Sequence, residues 1–281
     1  MSALPEPYAS HLPPLLAAAL AEDLPDLTGS AVFAPDDRTS AALVAKQPGV
    51  LCGVPAFAAA FAFVDARCEV ETALDDAAPA AAGATVARLS GPARAILAAE
   101  RTALNFATRL SGIATLTHRF VDAIAGTSCR VLDTRKTTPG WRALEKHAVR
   151  CGGGQNHRMG LFDVAMLKDT HLAAAGSLTD AVAKVRERWG DAVPLVVECA
   201  SLAQVEEALA CKVEHLMLDN MDLAMMRAAV SLVAGRARLE ASGRLNLDTV
   251  RRVAETGVDF VSVGALTHSA PALDLSLQVR T

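Results

Sequence analysis

The sequence predicts an α/β protein, and three observations carry that reading. From Cys129 onward, short aliphatic runs alternate with longer helical segments at barrel-like spacing. Before Cys129, strand-like and helix-like stretches do not alternate one for one, which fits a small sheet-plus-helix layer. The aliphatic runs of the second part end, one after another, in charged or small polar residues. A chain of 281 residues is long enough for one large barrel or for two domains.

In chain order, Pro14–Leu24 reads as an amphipathic helix and Ala41–Lys46 as a strand. Pro55–Val64 is helical in pattern, while Cys68–Leu74 and Gly83–Leu89 have β character. Ala93–Leu110 carries apolar residues at helical spacing; Gly112 is expected to interrupt it, with a second helix running to about Ala125. The domain transition is placed at this pair. The runs that follow are Arg130–Leu132, Val164–Leu167, Leu195–Val197, His215–Leu218, Ala237–Leu239 and Phe260–Val263. Between them lie helical segments Trp141–Arg150, Leu178–Trp189, Leu202–Ala210, Leu223–Val233 and Leu247–Glu255.

Composition narrows the function. With 52% hydrophobic residues the chain can bury a large core without disulfides. A net charge of −4 gives no basic surplus for a nucleic-acid backbone. The six cysteines (Cys52, Cys68, Cys129, Cys151, Cys199, Cys211) include no Cys-x-x-Cys pair, so neither zinc nor dithiol chemistry is expected. Met1–Pro14 has no basic region followed by an apolar core, and Val54–Val64 is too short to span a bilayer. A cytoplasmic protein without membrane or nucleic-acid partners is expected.

In an α/β barrel the carboxyl ends of all strands face one mouth. One ring would therefore gather Arg135, Lys136, Lys168, Asp169, Glu198, Asp219 and Ser242. A single strand end often carries a polar residue for no functional reason; five consecutive ones point to a site. The cations Arg135, Lys136, Arg158 and Lys168 would repel one another there without an anionic partner, so a ligand rich in carboxylate and phosphate is expected. Arg158 could instead cap its loop or pair with Asp163, and Asp169 could simply orient Lys168. Glu198 and Asp219 could hold Mg²⁺ jointly with substrate phosphates, or accept hydrogen bonds from sugar hydroxyls. Gly152-Gly153-Gly154 lacks the Lys-Ser/Thr of a P-loop and reads as an aid that brings Asn156-His157-Arg158 into the mouth. Ala241-Ser242-Gly243 and Val263-Gly264-Ala265-Leu266 precede expected helices and could bind phosphate on open N–H groups. His118, His147 and His215 read as structural histidines, and Cys151 as a thiol without a base partner.

At these residues the chain resembles the quinolinate phosphoribosyltransferase family. The matching segments are Glu100-Arg101-Thr102-Ala103-Leu104-Asn105, Leu110-Ser111-Gly112-Ile113-Ala114-Thr115 and Asp133-Thr134-Arg135-Lys136-Thr137-Thr138-Pro139-Gly140. They continue with Asn156-His157-Arg158-Met159-Gly160-Leu161, Leu218-Asp219-Asn220-Met221, Glu240-Ala241-Ser242-Gly243 and Ser262-Val263-Gly264-Ala265-Leu266-Thr267-His268. Thr170 stands where the family pattern has Asn, Arg244 where it commonly has a second Gly, and Pro25-Asp26-Leu27-Thr28-Gly29 where it has Gly-Asp-x-Thr.

The resemblance implies an N-terminal α/β sandwich domain (residues 1–112, with the tail from about 270 to 281 packing back on it) beside an open α/β barrel (113–281). It implies a homodimer with shared sites. The implied activity is that of a pentosyltransferase: phosphoribosyl transfer from 5-phosphoribosyl 1-pyrophosphate to quinolinate with decarboxylation, aided by Mg²⁺, in NAD biosynthesis. By its pattern Arg135, His157, Arg158 and Lys168 bind the two quinolinate carboxylates, and Arg101 serves the site of the other subunit. Lys136 and Lys168 face the diphosphate and phosphate, Glu198 and Asp219 the ribose and metal, and Ser242, Gly243 and Gly264 the 5-phosphate. Lys136, Lys168, Glu198 and Asp219 would be the catalytic set. Two other readings remain: the related protein encoded beside molybdate transporters, and a non-catalytic anion-binding subunit. The Lys168-Asp169 pair argues against the first, and Glu198 with Asp219 against the second.

Overall fold

The computed structural model describes residues 4–280. Residues 1–3, which open the Met1–Pro14 stretch, and residue 281 lie outside the described residues. The chain forms two compact units. One comprises Met1–His118, Thr137–Gly153 and Thr267–Thr281; the other comprises Arg119–Lys136 and Gly154–Leu266.

The chain starts with α1 (Tyr8–Asp23) and α2 (Leu27–Val32). The first of these begins six residues before the expected start and contains Pro13 and Pro14. Two prolines remove hydrogen bonds from a helix interior. Tyr8, Leu12, Leu16 and Leu20, buried at fourfold spacing, outweigh that loss by filling one face. Next come β1 (Arg38–Ala45), β2 (Gly49–Val50), α3 (Val54–Val64), β3 (Glu69–Thr72), β4 (Pro79–Ala80) and β5 (Thr85–Pro92).

The long helix α4 (Ala93–Ala123) is uninterrupted, so the expected break at Gly112 is corrected. Gly112 is small for another reason: a Cβ there would lie 2.1 Å from the Pro271 carbonyl oxygen. The second half of the chain runs β6 (Arg130–Leu132), α5 (Arg142–Cys151), β7 (Ala165–Leu167), α6 (Asp169–Ala175) and α7 (Leu178–Trp189). It continues with β8 (Leu195–Cys199), α8 (Leu202–Ala210), β9 (His215–Asp219), α9 (Leu223–Val233) and β10 (Arg238–Ser242). It ends with α10 (Val250–Ala254), β11 (Phe260–Ser262), α11 (Ala265–His268) and β12 (Leu275–Arg280). Among the described residues no helix is long and apolar enough to cross a membrane.

The first unit is built on an antiparallel sheet of order β12-β1-β5-β3. The tail strand β12 pairs with β1 from Ser40↔Arg280 to Ala45↔Leu275. Helix α3 packs on β3 and α1 on α3, with Phe57 and Phe61 fully buried. Each such side chain contributes about 1.5–3 kcal/mol. The segment carrying α5 is clamped into this unit by a buried carboxylate. Glu145 is 0% exposed and accepts from Arg109 Nη2 at 2.8 Å, Thr138 Oγ1 at 2.8 Å and Thr138 N–H at 3.0 Å. Arg109 also donates to the Ala270 and Thr267 carbonyls, which joins the tail to the same knot.

The second unit holds a parallel sheet of order β6-β11-β10-β9-β8-β7. Its first strand pairs with its last, as in a barrel, but no ladder joins β6 to β7 among the described residues. The barrel is therefore open between its first two strands.

Removing Glu145 deprives the half-buried Arg109 and the Thr138 N–H of their acceptor, which costs about 1–3 kcal/mol. Glu145→Ala is expected to lower the urea midpoint of the transition that releases the first unit. An unchanged midpoint would show that the clamp contributes nothing.

Candidate active site

The strand ends of the second unit line up by register. Leu132, Ser262, Ser242 and Asp219 form one row across β6, β11, β10 and β9. Leu167 pairs with Val197, so the residues that follow, Lys168 and Glu198, meet at adjacent strand ends. Lys168 Nζ donates to Glu198 Oε2 at 2.6 Å. Lys168 caps α6, and Glu198 is the penultimate residue of β8, inside the strand rather than just after it. Asp219 ends β9, half-buried, and its Oδ2 accepts from Asn220 Nδ2 at 2.9 Å.

Pleat alternation puts Glu240 two residues before Ser242 on the same face of β10. Glu240 is 0% exposed, and its Oε2 lies 2.8 Å from His215 Nε2 and 3.2 Å from His157 Nε2. Ser262 donates to the other oxygen. Burial pushes the Glu240 carboxyl up, but the His157 and His215 rings against it overcome that and hold it at about 2. His157 is thus fixed through its ring, and it is also fixed through its backbone. Asp133, fully buried just after β6, accepts from His157 N–H at 2.8 Å and from Asn156 Nδ2 at 2.6 Å.

Arg158 follows. Its Nη1 donates to the Val164 carbonyl at 3.0 Å. Asp163 accepts instead from the N–H groups of Met159, at 2.5 Å, and Gly160, at 3.1 Å, so it closes the loop. Burial and the nearby Arg135 guanidinium lower the Arg158 pKa, against the opposing pull of Asp163. A guanidinium whose charged state is weakened by burial and by a neighbouring cation is what an anion would relieve. Arg135 is half-buried, and Lys136, with its N–H on Thr134 Oγ1 at 3.1 Å, is exposed.

The small-residue loops differ in part from expectation. Gly264 directly precedes α11, as expected, though that helix has only four residues. Ser242-Gly243 does not open a helix: α10 starts at Val250, three residues later than expected. Gly243 has φ +112°, and a Cβ there would lie 2.2 Å from Asn220 Oδ1. It permits the β9 and β10 loops to touch, with Asn220 N–H donating to the Ser242 carbonyl at 3.0 Å. Arg244 sits at φ +48°, a left-handed conformation that suits glycine.

The second unit contains Arg135, Lys136, His157, Arg158, Lys168, Glu198, Asp219, Ser242, Gly243 and Gly264; among them Lys168 meets Glu198, Arg158 lies near Arg135, and Asp219 is aligned with Ser242. Arg101 is exposed on α4 in the first unit. Sequence reasoning missed the roles of Asp133 and Glu240. Counting back in twos from Ser242 would have placed Glu240 inside the barrel. His215, read as structural, is so: it holds Glu240.

An open parallel barrel whose strand ends collect cations beside carboxylates defines a class of enzymes that handle phosphorylated, acidic small molecules. The family model for the N-terminal domain of quinolinate phosphoribosyl transferase matches residues 26–111, and that for its C-terminal domain matches residues 113–278. The chain belongs to the quinolinate phosphoribosyltransferase family. It is 44% identical over 245 residues to a Synechocystis protein named "Probable nicotinate-nucleotide pyrophosphorylase [carboxylating]", covering 86% of this chain and 83% of that protein. The chloroplastic nicotinate-nucleotide pyrophosphorylase [carboxylating] of Arabidopsis thaliana is 42% identical over 284 residues, 94% of this chain and 81% of its own. The solved nicotinate-nucleotide pyrophosphorylase of Francisella tularensis superposes with a TM-score of 0.92 at 39% identity, over 95% of each chain.

A folded pKa of about 2 against an ordinary value of 4.5 means that Glu240 stabilises the fold above about pH 4.5. That contribution fades as pH falls towards 2. The gap in urea midpoint between the native chain and Glu240→Gln should narrow steadily over this window. A gap independent of pH would contradict the assigned ionisation. Arg244→Gly should raise the thermal midpoint by the equivalent of about 1 kcal/mol, by relieving a left-handed side chain.

Proposed function

We propose that this chain catalyses phosphoribosyl transfer from 5-phosphoribosyl 1-pyrophosphate to quinolinate, with loss of CO₂, giving nicotinate mononucleotide and diphosphate for NAD biosynthesis. Family membership supports the reaction. The observation that carries it at the site is the 2.6 Å Lys168–Glu198 contact at the ends of β7 and β8, with β9 and its terminal Asp219 alongside. A site that only captured anions would not need the two acids.

In this reading the half-buried Arg135, Arg158 and Lys168, with His157, grip the two carboxylates of quinolinate. Arginine forks suit a carboxylate bidentately. The pyridine nitrogen lone pair forms the bond to C1 of the ribose as the C1–O bond breaks, and that electron pair leaves with diphosphate. Lys136 and Lys168 stabilise the departing charge. The C2–carboxylate bond then breaks. Its electrons stay at C2 beside the pyridinium nitrogen, CO₂ departs and C2 takes up a proton. No enzyme nucleophile is needed, and positioning supplies much of the rate.

Glu198 and Asp219 bring oxygen donors to adjacent strands β8 and β9, a set suited to Mg²⁺ held jointly with substrate phosphates. When bound, the ion would neutralise diphosphate charge. Ser242, Gly243 and Gly264 would receive the 5-phosphate. We place the reaction in the cytoplasm, in keeping with the free state of all six cysteines.

We also propose a homodimer with shared sites, in which the partner subunit's Arg101 completes each one. Arg101 is exposed. Leu161 and Phe162, beside the Arg158 loop, are 72% and 82% exposed, an apolar pair of the kind a second copy covers.

Mixing the purified chain with quinolinate, the pyrophosphate donor and Mg²⁺ should yield nicotinate mononucleotide. Arg158→Ala should lower kcat/KM for quinolinate by about 100-fold or more; unchanged efficiency would refute its role. Mixed and reassembled Arg101→Ala and Lys136→Ala chains should regain roughly a quarter of the native activity if sites are shared. No recovery in demonstrably mixed dimers would refute sharing.

A further inference from the structure

The six cysteines contain no local metal-binding pattern, yet folding of the first unit draws two of them together with a histidine and an aspartate. Cys52, Asp76, His147 and Cys151 each turn a donor atom to one point, all four atoms lying within 4.8 Å of one another. His147 Nε2 is 3.4 Å from Cys151 Sγ and 3.2 Å from Asp76 Oδ2, and Cys52 Sγ is 3.7 Å from the same carboxylate oxygen. Cys151, read from sequence as a thiol without a base, therefore faces one.

We propose that these four residues form a zinc site of Cys₂HisAsp type that staples the first unit. Tetrahedral Zn²⁺ with Zn–S of about 2.3 Å and Zn–N and Zn–O of about 2.0–2.1 Å requires N···O edges of about 3.4 Å and S···N and S···O edges of about 3.6 Å. The three separations above, 3.2, 3.4 and 3.7 Å, match those edges in kind and size.

The donors are held in place by groups that a metal would leave undisturbed. His147 and Cys151 stand four apart on α5, on one helix face. Ser111 Oγ, on α4, donates to the Cys52 carbonyl at 2.9 Å and accepts its N–H at 3.0 Å. Asp76 Oδ1 accepts from Val54 N–H at 2.9 Å, which leaves Oδ2 as the ligating atom. Tyr8 donates to Oδ2 at 2.5 Å, the outer contact typical of a metal-bound carboxylate. Cys52 is fully buried while the other three are partly open, so the site is enclosed on one side and reachable on the other.

The arrangement does not suit a thiol–imidazole–carboxylate relay. A relay uses one ring nitrogen for the nucleophile and the other for the acid. Here Nε2 faces both, and Nδ1 lies 3.3 Å from Arg150 Nη2. Ligation through Nε2 places the proton on Nδ1, so the exposed Arg150 guanidinium turns back to solvent.

The test uses the full chain, stripped with a chelator under reductant and titrated with Co²⁺. One Co²⁺ per chain is expected, with the intense visible bands of tetrahedral coordination and thiolate-to-metal charge transfer in the near ultraviolet. Zn²⁺ should displace it. Cys151→Ser should lose the charge-transfer intensity and at least tenfold in affinity, with its circular dichroism unchanged. In case the variant misfolds, the native chain gives a second readout: stoichiometric Zn²⁺ should shield the part-exposed Cys151 from alkylation while Cys211 reacts equally with and without it. Co²⁺ bound without thiolate bands, which is the behaviour of an oxygen site such as Glu198 and Asp219, would overturn the proposal. So would equal alkylation with and without Zn²⁺, or a Cys52–Cys151 disulfide in a chain that takes up no metal after reduction.

Discussion

A single buried carboxylate, Glu240, organises the interior of the barrel unit. Ionised and cut off from water, it would be costly alone. Two imidazoles and one hydroxyl from three different segments offset that cost, and in doing so each segment becomes fixed relative to the others. His157 gains most. Held by Glu240 through its ring and by Asp133 through its backbone, it sets where the next residue, Arg158, begins. The cationic side of the site is thus positioned by acids that need never touch a ligand.

The first unit repeats this logic. Glu145 gathers the start of the α5 segment, the long helix and the tail through Arg109 and Thr138. Both units therefore fasten chain segments distant in sequence with a buried anion that has several donors, rather than with a surface ion pair. Such a knot is specific because a partly satisfied version is worse than none.

Much of the fold was legible because its signals are local. The aliphatic runs 130–132, 195–197 and 215–218 announce themselves by composition, and the charged residues after them fall at or within one residue of the strand ends. The candidate cations and acids were picked out by the same local signal. What escaped was decided by contacts across the chain. Gly112 resembles a helix breaker, but its size answers to the Pro271 carbonyl, 159 positions away. Pro13 and Pro14 look like a helix start, but a buried stripe carries the helix through them. Asp133 and Glu240 are ordinary acids until the strands align. Cys52, Asp76, His147 and Cys151 share no spacing that a linear reading could notice.

The barrel's missing ladder between β6 and β7 has a further consequence. In a fully closed ring, hydrogen bonds dictate the gap between every pair of neighbouring strands. At this seam β6 is bonded instead to the loop before β7: Gln155 N–H donates to the Val131 carbonyl at 2.8 Å and Asp133 N–H to the Gln155 carbonyl at 3.2 Å, so that loop sets the width. Ligand size can consequently drift through substitutions in that loop alone, with the remaining five strand pairings left in register.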